Sequence, residues 1–129
     1  MPSPDVGVRL EAIREAARLA TEATSLRAVA RQVGLSPMGL RHFLDGRRPY
    51  TATLRRLTVW FVAHGVQRGA GEDTIRAAIS LMLEGLPVEG RESGADALLE
   101  VVENLHRRAG TQPPSWLATL RGEEDGRGG

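Results

Sequence analysis

The amino-acid sequence predicts an all-α protein. Apolar residues recur at intervals of three and four along most of the chain, which is the spacing of an amphipathic helix rather than of a strand. The first such helix covers residues 8–23. Ser, Thr, Pro and Gly interrupt the apolar stretches where helices start and stop. With 129 residues, 41% of them apolar, we expect one compact domain with its own core and room for an appendage.

Capping residues mark the boundaries of the next two predicted helices. Ser25 is placed to cap the second helix, a short apolar stripe over residues 26–33 that ends at Gly34. Ser36 is placed to cap the third helix, and Pro37 suits its first helical position because a proline there lacks only an N–H that would stay unpaired.

A glycine and a basic loop separate the third helix from the fourth. Gly46 lies just past the end of the third helix, and the loop covers residues 47–50, Arg-Arg-Pro-Tyr. Thr51 or Thr53 opens the fourth helix. We expect this helix to end at Gly65, because glycine is a poor residue for a helix interior.

The C-terminal part predicts two further helices and a short turn. Apolar residues repeat at helical period over residues 75–86 and again over residues 95–109. We expect a polar loop over residues 88–94 between them. A short apolar turn follows over residues 115–120, and residues 122–129, which contain only Gly, Glu, Asp and Arg, are predicted to be a disordered tail.

The charge is distributed unevenly, and this supports a division into domains. All seventeen cations are arginine, and the formal net charge is only +1. Residues 26–56 carry seven arginines against one acid, whereas residues 70–129 carry six arginines against eleven acids. The balance changes near Gly69-Ala70-Gly71. We therefore predict a basic domain over residues 1–68 and an acidic helical extension over residues 69–121, followed by the tail.

Residues 26–46, LRAVARQVGLSPMGLRHFLDG, fit a helix-turn-helix. Two short helices that cross at a tight turn need a small residue at the crossing, here Ala30, and a residue that accepts a positive φ in the turn, here Gly34. They also need inward apolar residues, which are present at Val29, Val33, Leu35, Leu40 and Phe43. The pattern therefore predicts a helix-turn-helix within the basic half.

Residues 8–66 resemble the lambda-repressor-like (Cro or XRE-type) DNA-binding domain. The most specific part of the resemblance is GLSPMGLRHFLDG, followed by the basic loop and TLRRL. GLSPMGLRHF is also similar to the start of a TetR-type domain, but LDGRRP intervenes where that family starts its next helix. The phage-repressor class is therefore favoured. The resemblance implies that residues 37–44 form a recognition helix, that residues 26–33 cross the DNA backbone, and that dimers read two half-sites.

The residues of this motif can be divided into those that suit contacts to DNA bases and those that suit contacts to phosphates. Arg41 suits a bidentate contact to guanine, and His42 can reach a base or a phosphate. Gly39 permits close backbone approach, and Met38 offers only apolar contact. Pro-Met-Gly at the start of the recognition helix departs from the polar residues that are common in the family, which favours shape or phosphate readout. The predicted phosphate contacts are Ser25, Arg27, Arg31, Ser36, Arg47, Arg48 and Arg55.

The acidic extension has two open interpretations. Residues 72–120 complete the core, form a homodimer interface, or do both; an interface is expected because one such domain contacts only a half-site. Glu103 and His106 match half of a helical di-metal motif that has no second copy. We therefore expect no metal site, no cofactor and no catalytic site. The chain has no cysteine and no apolar run long enough to span a membrane, and we expect a cytoplasmic protein.

These observations predict a double-stranded DNA-binding protein, most simply a dimeric transcription regulator. The alternative from another class is a non-enzymatic adaptor, which would use the face from Met38 to His42, or the acidic half, to bind a protein.

Overall fold

The computed structural model describes residues 8–68 and 71–122, and this part of the chain is all-α, as predicted. Seven helices occur in the described residues. In chain order they are α1 (Leu10–Ala23), α2 (Leu26–Val33), α3 (Pro37–Leu44), α4 (Thr51–Gln67), α5 (Glu72–Leu83), α6 (Val88–Ala109) and α7 (Ser115–Leu120). Of the expected boundary at Gly69-Ala70-Gly71, residues 69 and 70 lie outside the described residues, as do residues 123–129 of the tail expected over 122–129.

The capping residues act where the sequence placed them. The Ser25 hydroxyl accepts a hydrogen bond from the Ala28 backbone N–H at 3.0 Å, and the Ser36 hydroxyl accepts one from the Gly39 backbone N–H at 3.0 Å. Gly34 ends α2 at φ +92°, in the left-handed region that favours glycine. These local contacts set the turn between α2 and α3.

The N-terminal core lies among α1, α2, α3 and α4, and α5 contributes Ala77 to it. The residues that the motif required to face inward are buried or partly buried there. A second core joins α5 to α6 and α7 through Ile79, Leu83, Leu99 and Leu120, among others. Because α5 contributes to both cores, the basic and acidic halves are packed against each other.

The predicted end of α4 at Gly65 is wrong, since the helix continues to Gln67. A Cβ atom at Gly65 would overlap the Thr74 hydroxyl of α5 and would lie 2.8 Å from the Thr74 methyl carbon. The glycine is therefore required by the close approach of two helices. Its low helix propensity, about 1 kcal/mol against Ala, is outweighed by the packing that it permits.

The predicted polar loop over residues 88–94 is also wrong, because these residues form the first turns of α6. Pro87 precedes the helix with an extended backbone, a conformation that suits a helix start. A Cβ at Gly94 would lie 3.2 Å from a methyl carbon of Leu86 and 3.3 Å from one of Leu83. This glycine again allows the end of α5 to approach α6 closely.

Within the described residues no helix combines the length and the apolar character that crossing a membrane requires.

Candidate nucleic-acid interface

The helix α3 has an inward and an outward face. Leu40 and Phe43 are buried in the N-terminal core. Met38 and Arg41 are exposed, and Gly39 and His42 are partly buried at the edge of the exposed face. The four residues predicted to contact bases therefore lie together on one short helix, on the side away from the core.

Arginines of the basic half fall into two groups. Among the residues that the structure describes up to residue 56, five exposed arginine side chains have no hydrogen bond or ion pair: Arg27, Arg31, Arg41, Arg47 and Arg48. All five belong to the predicted DNA-binding set, whereas Arg68 at the C-cap of α4, which also has neither, does not. The other arginines of α1 and α4 up to residue 56 contact carboxylates or backbone carbonyls of the protein. The surface around α2, α3 and the following loop therefore carries unneutralised, permanently charged groups.

Arg55 differs from the other predicted phosphate contacts. Its Nε and Nη2 atoms donate to Glu84 Oε1 at 3.0 Å and 2.8 Å, and Glu84 follows the end of α5. The hydrogen bond and the carboxylate charge raise the pKa of Arg55 above its ordinary value, against a small opposing effect of burial. The Arg55 guanidinium, which the sequence predicts to contact a phosphate, is therefore bound by the Glu84 carboxylate instead.

A cleft of about 370 Å³ lies between α3 and the basic loop. Ser36, Gly39 and His42 line one side, and Arg47 and Arg48 line the other. Tyr50 also lines the cleft, and 85% of its surface is exposed. The sequence analysis did not select this tyrosine, although an aromatic residue beside two arginines in a loop is a visible signal. The cleft brings predicted base contacts and predicted phosphate contacts together.

Arg14 of α1 holds the C-terminal end of α3 in place. Its Nε donates to the Phe43 carbonyl oxygen at 2.7 Å, and its guanidinium carbon lies 4.7 Å from the centre of the Phe43 ring. Nη2 makes a longer bond of 3.4 Å to the Arg47 carbonyl oxygen at the start of the basic loop. A cation suits a helix C-terminus because the last carbonyls carry partial negative charge.

The role of Arg14 was not predicted from the sequence, although its place in the helical pattern of α1 could have indicated it. The residue falls between Ile13 and Ala17 on the buried face of α1, where a charged residue is rare unless it is paired. Arg18, one turn later, donates from Nη2 to the Leu44 carbonyl oxygen at 3.1 Å. Both arginines position α3 from the side opposite its exposed face.

Further contacts from α4 fix the turn between α2 and α3. Arg56 Nη1 donates to the Gly34 carbonyl oxygen at 2.7 Å, and the Trp60 indole N–H donates to the Gln32 side-chain oxygen at 3.1 Å. The Trp60 ring stacks on His64 with centroids 4.8 Å apart. Burial, together with the charge of Arg68, lowers the pKa of His64. The helix-turn-helix is thus held by α1 at one end and by α4 at the other.

Glu103 and His106 of α6, which match half of a di-metal motif, contact other side chains of the protein. The Glu103 carboxylate pairs with Arg121 and lies 3.7 Å from Arg107, and His106 Nδ1 is 2.7 Å from the Thr111 hydroxyl. Among the residues that the structure describes, no three His, Cys, Asp or Glu side chains are grouped as metal ligands would be.

No family model, no curated protein and no solved structure matches this chain.

Proposed function

We propose that this protein binds double-stranded DNA through α2, α3 and the basic loop, and that it acts as a homodimeric transcription regulator in the cytoplasm. The observation that carries the proposal is the set of five exposed arginines of α2, α3 and the basic loop that lack partners within the described protein. Most of the other described arginines pair with carboxylates or donate to backbone carbonyls, whereas these five remain available. Arginine presents a planar fork that matches phosphate oxygens and the acceptor edge of guanine.

In this proposal the two groups of predicted contacts have separate tasks. Arg41, His42 and Met38 on α3 enter the major groove, and Gly39 allows the helix to approach closely. Arg27 and Arg31 on α2, with Arg47 and Arg48 in the loop, contact phosphates and set the register of α3. The hydroxyls of Ser25 and Ser36 keep a proton that can be donated to a phosphate, because each oxygen acts only as an acceptor in its helix cap.

The acidic extension favours an orientation in which α2, α3 and the basic loop face the DNA. Its excess of carboxylates repels phosphate, so the basic surface is the side that faces DNA. The extension also provides the homodimer contact within residues 72–120, which a protein that reads two half-sites needs. The proposal includes no chemical step and no cofactor.

Fluorescence anisotropy of a duplex library over a range of salt concentrations tests the proposal. Four phosphate-binding arginines in each subunit give eight in a dimer, so log K should fall with log salt at a slope of about −7, from roughly 0.9 per neutralised phosphate. Arg48→Ala should weaken binding to all sequences alike, whereas Arg41→Ala should relax the preference at a base position. Arg68→Ala, at an exposed arginine that follows α4 and lies outside both the helix-turn-helix and the acidic extension, is the control with the same loss of charge and should bind as the wild type does.

Two outcomes would overturn the proposal. A response that does not depend on salt would exclude phosphate binding by these arginines. Absence of DNA retention, together with a protein partner that is captured after nuclease treatment and lost with Met38→Glu, would identify the adaptor instead.

A further inference from the structure

The outward face of α6 is not covered by the rest of the described chain. At intervals of three or four residues it carries Gly90, Ser93, Ala97, Val101, Leu105 and Arg108. Val101 and Leu105 are exposed over 54% and 57% of their surface. A Cβ at Gly90 would meet no atom within 4 Å. The intrachain core uses a different side of the helix, where Ala95 and Leu99 are buried.

Small side chains occupy the N-terminal half of this outward face, and larger ones occupy its C-terminal half. Gly90, Ser93 and Ala97 lie on one side of residue 99, and Arg108, Leu105 and Val101 lie at equal distances on the other. Two antiparallel copies related by a two-fold axis at residue 99 would place each large side chain opposite a small one. Ala97 would face Val101, Ser93 would face Leu105, and Gly90 would face Arg108. Such alternation lets two helices approach to about 8–10 Å between their axes.

Charge complements size in the same arrangement. Glu89 lies in the first turn of α6, and its last turn is basic, with Arg107 and Arg108. Neither Glu89 nor Arg108 has a hydrogen bond or an ion pair in the part of the chain that the structure describes. An antiparallel pair brings the Arg108 end of each copy beside the Glu89 end of the other, so the interface contains two such pairs of opposite charge. A parallel pair would place like charges side by side.

We propose that a second copy of this chain covers the outward face of α6, with the two α6 helices antiparallel and the two-fold axis between Ala97 and Val101, at the level of residue 99. The inference rests on the homodimer of the proposed function and specifies its interface. At 22 residues, α6 is about 33 Å long. The self-matching order of its outward residues is what a two-fold interface requires, because the same patch must fit itself.

The mass in solution tests the interface. The full-length wild type should have twice the chain mass of 13.9 kDa by light scattering, and Val101→Glu should weaken dimerisation by at least about a hundredfold, because it buries two carboxylates. Val66→Glu is the matched control, since Val66 lies on α4 and is 63% exposed; its mass should equal that of the wild type. Circular dichroism should give equal helix content for all three.

The outcomes separate this inference from the homodimer itself. A dimeric Val101→Glu variant would refute the α6 interface while leaving a dimer through another surface. A monomeric wild type over the whole concentration range would refute both.

Pairing of single cysteines tests the register and direction. The chain has no cysteine, so Ala97→Cys and Val101→Cys chains can be mixed in equal amounts and oxidised. The inferred register predicts that disulfide-linked heterodimers exceed both homodimers, because residue 97 faces residue 101. A statistical mixture, or an excess of linked homodimers, would overturn the antiparallel register.

Discussion

Replacement of Arg14 by Met would remove the contact that holds the end of α3 and keep the volume of the side chain. Only 8% of the Arg14 side chain is exposed, and its Nε bond to the Phe43 carbonyl oxygen is 2.7 Å long. A buried bond from a charged donor contributes about 1.5–3 kcal/mol, and the contact with the Phe43 ring adds about 1 kcal/mol.

Two effects reduce this sum. The Phe43 carbonyl oxygen also accepts a bond from the Gly46 N–H at 3.1 Å, so the mutation does not leave it unpaired. Removal of the guanidinium also ends the cost of burying a charge. We therefore expect Arg14→Met to lower the free energy of unfolding by about 2 kcal/mol, which for a chain of this size corresponds to roughly 8 °C in Tm.

The assay is urea unfolding followed by circular dichroism, with Arg18→Met as the matched control. The Arg18 side chain is 43% exposed, and it makes a 2.8 Å ion pair with Glu15 and a 3.1 Å bond to the Leu44 carbonyl oxygen. Because solvent screens such exposed contacts, their loss should cost less than about 1 kcal/mol. Arg14→Lys should be nearly as unstable as Arg14→Met, because an ammonium cannot reproduce the fork. If Arg14→Met unfolds within about 0.5 kcal/mol of the wild type, or if Arg18→Met is the less stable variant, the assigned role of Arg14 is incorrect.

Three further predictions follow from individual contacts. Gly65→Ala should destabilise the protein by about 2 kcal/mol despite the better helix propensity of alanine, because its Cβ would overlap Thr74; adding Thr74→Ala should restore most of the stability in urea unfolding, and an unaltered single mutant would contradict the packing. Because the pKa of His64 is lowered in the folded state, the unfolded state binds the proton first as pH falls. Stability should therefore be full above about pH 6.5 and decrease as the pH falls from there towards the folded-state pKa; His64→Phe should remove this part of the pH dependence, and an unchanged profile would assign the effect elsewhere. Ser36→Ala should cost about 1 kcal/mol through the lost cap of α3, whereas Ser36→Asp should keep the cap and weaken DNA binding, since its carboxylate would face phosphate; equal DNA affinity of the wild type and Ser36→Asp would remove Ser36 from the interface.

Local sequence determined the helix-turn-helix because each of its requirements is met by a single residue or by neighbours. Ser25 and Ser36 bond to backbone N–H groups three residues ahead, and Gly34 adopts a positive φ. Such contacts do not depend on distant parts of the chain. The all-α class and the inward face of α3 could be predicted for the same reason.

Two glycines in helix interiors could not be predicted from local propensity. The sequence pattern places Gly65 and Gly94 at or beyond a helix boundary, but both lie within helices. Each faces a side chain that is nearby only in the folded chain: Thr74 for Gly65, and Leu83 with Leu86 for Gly94. A sequence shows a glycine with low helix propensity, but it does not show which side chain of another helix packs closely against it.

The sequence by itself determined that this protein is helical, that a helix-turn-helix lies within its basic half and that all its cations are arginine. Only the tertiary structure decided which arginines remain available. Arg14 and Arg55 have the same chemistry as Arg41 and Arg48, but the first two contact Phe43 and Glu84. The physical reason is that a guanidinium donates to whatever carboxylate or carbonyl the fold brings within hydrogen-bond distance. Arg14 also pairs with Glu11, three residues away, but the Phe43 carbonyl of Arg14 and the Glu84 carboxylate of Arg55 each lie 29 residues away along the chain.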